Sequence, residues 1–148
     1  MIDVIPGILE KEWPPIEEKL RLVAPYVGWV QVDIADNTLV PNVTLLQFDQ
    51  FGTFVQLNKS LSLEAHLMVS QPEKYIRPLA DAGFKRLIAH VECQDPREFL
   101  KHAEYEDVEV GMAIDGATEL DQIELYLEEI DMVLVMTIEA GFSGQELM

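Results

Sequence analysis

Short runs of β-branched and aliphatic residues alternate with stretches of helical spacing along the whole sequence, and few folds accept that order. The runs are Val4-Ile5, Trp29–Ile34, Leu61–Met68, Arg86–Val91, Val108–Ile114 and Met132–Met136. Each reads as a strand closed by a turn cluster. The first intervening stretch predicts a helix from near Trp13 to Ala24, with Ile16, Leu20 and Val23 on one face and Pro25 and Gly28 as its stop. Ser70-Gln71-Pro72-Glu73 and Asp95-Pro96-Arg97-Glu98 carry helix-start chemistry, and Gly83 closes the helix between them. Thr118-Glu119-Leu120-Asp121 predicts a further helix through about Glu129. Residues 44–58 are ambiguous.

Six strands and five helices in alternation, with strands apolar nearly throughout, imply parallel strands covered by crossover helices. Two architectures satisfy that, an open doubly wound sheet and a barrel. The turn after the first strand is Pro6-Gly7-Ile8-Leu9, without the G-x-G-x-x-G pattern of a dinucleotide fold, so the barrel is favoured.

At 148 residues, with 49% apolar and 25% charged, the chain has the composition of one globular domain. Ten Lys+Arg stand against 27 Asp+Glu, a formal charge of −17. A surface of that sign gains nothing from displacing counterions on nucleic acid or from an anionic membrane, so neither is expected as a partner. One cysteine, Cys93, excludes a disulfide framework and a Cys-based zinc site. No cationic leader or long apolar segment opens the sequence, and a cytoplasmic location is expected.

In a parallel barrel, chemistry sits where polar residues interrupt the C-terminal ends of the strands. Gln31 and Asp33, two apart, point to one side of their strand. His66 follows Glu64 by two, and His90 precedes Glu92 by the same spacing. Taken singly, each histidine reads as well as a satisfied core residue, and Asp33 as a loop cap; His102 falls on a helix surface. Together, Asp33 and His66 on adjacent strands make half of a metal site suited to zinc, manganese or iron(II). Such a carboxylate can move a proton α to a carbonyl.

These residues sit in stretches that resemble the ribulose-phosphate 3-epimerase family over essentially the whole chain. They are Val4–Leu9, Val32-Asp33-Ile34-Ala35-Asp36 with Val40-Pro41-Asn42, Ala65–Val69 with Pro72, His90-Val91-Glu92, and the most specific, Val133–Gln145. The resemblance implies a (βα)8 barrel that interconverts ribulose 5-phosphate and xylulose 5-phosphate through an enediolate. It implies two aspartates on opposite faces of that sugar phosphate and a divalent metal held by two His and two Asp. By position, Asp33 is the proton-transferring aspartate and a metal ligand, and His66 a second ligand. Met68 and Met136 fall at pocket positions, where a Met-rich core reads equally well. Gly141, Phe142, Ser143 and Gly144 form a glycine loop able to hold an anion through backbone amides.

Four departures accompany the resemblance. Gln31 stands where the family has its other histidine ligand, so any metal is expected to be weakly held. Gly7 replaces a serine at a substrate-binding position, Thr38 replaces a histidine, and Asp115-Gly116-Ala117-Thr118 replaces a proline-glycine turn. A full barrel takes about 250 residues. The seventh strand, with the second aspartate, and the eighth, with the rest of the phosphate site, are absent from this sequence. The expectation is a partial TIM-type barrel, open or completed by dimerisation, whose isolated chain has negligible epimerase activity. The alternative is a non-catalytic oligomerising domain that keeps only the fold. A related decarboxylase or aldolase is disfavoured, since Glu64-Ala65-His66 lacks their Asp-x-Lys pattern.

Overall fold

A computed structural model describes residues 2–142, 144 and 145. Six parallel strands form one sheet: β1 (Gly7–Ile8), β2 (Trp29–Ala35), β3 (Ser62–Met68), β4 (Arg86–His90), β5 (Glu109–Ile114) and β6 (Met132–Val135). Between them run α1 (Trp13–Val23), α2 (Asp49–Leu57), α3 (Glu73–Asp81), α4 (Pro96–Ala103) and α5 (Asp121–Glu124). The strands are hydrogen-bonded in sequence order, β1 to β6, with no reversal. A doubly wound sheet must reverse its order at a switch point, whereas right-handed crossovers in unbroken order keep every helix on one face and curl the sheet. The result is a half-barrel of TIM type.

Strand periodicity divides the sheet into two faces. Val30, Val32, Ile34, Leu63, Ala65, Leu67, Leu87, Ala89, Met112 and Ile114 face the helices and form the main core with Ile16, Leu20, Phe51, Phe84 and Phe99. The opposite parity carries Gln31, Asp33, His66, His90 and Leu134 toward the inside of the curve. No helix among the described residues is long and apolar enough to cross a membrane.

Several local features follow the expected chemistry. The Asp95 carboxylate accepts from the backbone N–H groups of Arg97 and Glu98, both at 3.1 Å, and so caps α4. Gly83, at φ +88°, turns the chain out of α3. Three features differ. The first strand is Gly7–Ile8 rather than Val4-Ile5: Gly7 and Ile8 register with Gln31 and Val32, while Val4 is exposed. Ser70 does not cap α3: the N-cap position falls on Pro72, which has no side-chain acceptor, and the Ser70 N–H donates instead to the Thr38 hydroxyl oxygen. The last helix stops at Glu124 rather than near Glu129, since Ile123 is its one buried residue and little apolar area rewards a longer helix.

Candidate active site at the strand ends

The β2–β3 register pairs Asp33 with His66, and the β3–β4 and β4–β5 registers bring His90 alongside. A continuous row of side chains results. The Gln31 Nε2 donates to Asp33 Oδ1 at 2.9 Å, and His66 Nδ1 donates to the same oxygen at 3.1 Å. His66 Nε2 meets His90 Nε2 at 2.8 Å, with the rings stacked at 4.9 Å between centroids. His90 Nδ1 donates to Glu92 Oε2 at 3.0 Å, and Glu92 Oε1 accepts the Asp115 N–H at 2.8 Å.

A carboxylate only accepts, so each Nδ1 facing one presents its hydrogen, and the two Nε2 atoms face each other. Both rings are almost wholly buried, at 2% and 1% exposure, so a missing partner inside the row is costly. Burial alone would raise the Glu92 carboxyl, but bonds from His90, Thr118 and the Asp115 N–H outweigh it and hold Glu92 at about 2.

Above this row lies a cavity of about 220 Å³ lined by Gln31, Asp33, His66, Met68, Met136, Gly141 and Phe142, together with Leu9, Leu134, Val135, Thr137 and Ile138. Asp33 is its one carboxylate among the described residues. Its rim is drawn together across the barrel mouth, where the Asn42 amide donates to the Gly141 carbonyl at 2.7 Å. Gly141 sits at φ +103°, and a Cβ there would lie 2.9 Å from Val40 Cβ, so this close approach requires glycine.

Seven of the sequence-predicted site residues therefore converge on one cavity. Gly7 does not line it; it supports the site from β1 by its register with Gln31. Gly144, at φ +74°, is exposed and lies off the cavity wall. Ser143 lies outside the described residues. His90 and Glu92 belong to the row although sequence reasoning did not place them in the site; their matching of the Glu64–His66 spacing was the available signal. Glu64 shares the inner face of the sheet with His66 but lies toward the opposite end of the barrel, where it accepts from Arg86 at 2.7 Å.

The donor atoms do not fit a resident metal. His66 has both ring nitrogens engaged inside the row. Gln31 turns its N–H end, not its carbonyl oxygen, toward Asp33. No three His, Cys, Asp or Glu residues are arranged to hold an ion among the described residues.

Comparison with known proteins places this arrangement. The model of the ribulose-phosphate 3 epimerase family matches residues 3–148. The ribulose-phosphate 3-epimerase of Schizosaccharomyces pombe is 32% identical over 148 residues, covering 98% of this chain and 65% of that protein. Its counterpart from Bacillus subtilis is 29% identical, covering 99% and 67%, and that of Synechocystis sp. is 32% identical, covering 97% and 64%. The chain thus spans about two thirds of the length of these curated relatives. With the family model matching almost the whole chain, and relatives about 30% identical along nearly all of it, the chain belongs to the ribulose-phosphate 3-epimerase family.

Proposed function

We propose that the strand-end cavity binds a 2-keto pentose 5-phosphate and that Asp33 moves the proton on the carbon next to its carbonyl. The observation that carries this reading is the double anchoring of Asp33 Oδ1 by Gln31 and His66 on the wall of the cavity. Asp33 removes the proton from C3, the electron pair moves onto the carbonyl oxygen as an enediolate, and reprotonation restores the ketone. The second N–H of the Gln31 amide meets the charge that develops on that oxygen. The loop around Gly141 holds the phosphate by backbone N–H groups.

A single carboxylate works one face of the planar intermediate. With Asp33 the one carboxylate on the cavity wall among the described residues, the proton returns to the face it came from, and inversion at C3 is far slower than exchange. The test is incubation with ribulose 5-phosphate in D2O, followed by proton NMR. Loss of the C3 proton signal without xylulose 5-phosphate, abolished by Asp33→Asn, is expected. Absence of exchange in the folded wild-type chain would overturn the reading in favour of a domain that keeps only the fold.

A second proposal concerns assembly. The helix-side face of β6 exposes Val133 and Val135, at 39% and 60%, and Leu120 and Leu125 at the two ends of α5 are exposed as well. A second copy of the chain covers this face and the unpaired strand edge, while the charge of −17 opposes unlimited association. Sedimentation should show a dimer that Val135→Lys dissociates; a wild-type monomer at micromolar concentration defeats the proposal.

A further inference from the structure

We infer that the strand-end row is a metal-independent site, and that Gln31 is the residue that makes it so. The argument is one of atoms available. A divalent ion beside Asp33 needs lone pairs that converge on it. The Asp33 oxygen nearest its neighbours already accepts two N–H groups. Because a carboxylate only accepts, the Gln31 amide must present nitrogen there, and its carbonyl oxygen is turned away.

His66 cannot supply the deficit. Its Nδ1 carries the hydrogen given to Asp33, and its Nε2 is spent on His90. Freeing either lone pair means turning a ring that is 2% exposed and stacked on its neighbour, which would also strand His90 and Glu92. The N–H groups of Gln31 and His66 thus present to Asp33 the positive ends of dipoles where an ion would present charge. A histidine at position 31 would change this, because an imidazole can offer a bare nitrogen toward the same point.

The test reads metal directly and is independent of turnover. The 148-residue protein, stripped with chelator and titrated calorimetrically with Zn²⁺ alone, should show only the weak binding of surface carboxylates, unchanged by Asp33→Asn. Gln31→His should gain one site per chain at least about 100-fold tighter, lost again on adding His66→Ala. One tight equivalent in the wild type, abolished by Asp33→Asn, would overturn the inference. So would a folded Gln31→His variant that gains nothing. A second measurement covers a variant that fails to fold: imidazole nitrogen NMR signals of wild-type His66 and His90 should stay unshifted and unbroadened when Zn²⁺ or Mn²⁺ is added. Shift or selective broadening of His66 would count against the inference.

Discussion

His66 and His90 face each other through their Nε2 atoms at 2.8 Å, each ring held from behind by a carboxylate, Asp33 on one side and Glu92 on the other. Replacing His90 by Phe keeps the volume but leaves His66 Nε2 and the Glu92 carboxylate without their partner. A loss of about 1–3 kcal/mol of stability is expected in urea unfolding. Glu92→Gln combined with His90→Phe should lose less than the two single changes added together, because the partners belong to one row.

At the opposite end of the barrel, Arg86 joins the buried Glu64 at 2.7 Å and Glu109 at 2.6 Å, and lies over the Trp29 ring at 4.2 Å. Burial pushes the Glu64 carboxyl up, with Arg86 opposing it. Arg86→Met strands a buried carboxyl and should cost about 3–5 kcal/mol. Adding Glu64→Leu should recover most of that, measured by thermal melting at neutral pH.

Glu92 gives the chain an acid-sensitive component. Its carboxyl titrates at about 2 in the fold against an ordinary value of 4.5. A depressed value means that the ionised form stabilises the fold. That stabilisation is complete above about pH 4.5 and fades as pH falls through 2. The difference in melting temperature between wild type and Glu92→Gln should therefore be largest above pH 5 and shrink steadily toward pH 2. A constant difference would mean that the carboxylate's charge is irrelevant.

Gly141→Ala places a methyl 2.9 Å from Val40 Cβ and strains a residue at φ +103°. A loss of about 1–3 kcal/mol is expected. The variant should also bind inorganic phosphate more weakly than wild type by calorimetry. Asn42→Ala, which removes only the amide bond to the Gly141 carbonyl, should weaken phosphate binding with a smaller loss of stability.

Which parts of this molecule can be read from its sequence depends on how local their causes are. Strands β2 to β6 were legible because their apolar runs and bounding turns are contiguous, and α4 because Asp95 caps it within three residues. The segment at 44–58 was ambiguous for an equally physical reason. α2 contains Gly52 and Thr53, has no side-chain cap, and is held in place by aromatic contacts from elsewhere, Trp13 on Phe51 at 5.0 Å and Phe84 on Phe51 at 5.2 Å. Thr118 signalled a helix start, yet its hydroxyl serves Glu92. In the site, Gln31 and Asp33 share a strand, so their common side was evident. The meeting of His66 with His90 is set by strand register, which no local pattern records.

Unbroken strand order also bears on how the molecule is made. Each strand pairs with the one synthesised just before it, so every sheet contact closes a short stretch of polypeptide, and the scaffold can grow on the ribosome one unit at a time. The Asn42–Gly141 bond is the exception, joining positions 99 apart. Closure of the cavity rim is therefore a late event in a nascent molecule, after its hydrophobic interior is already secured.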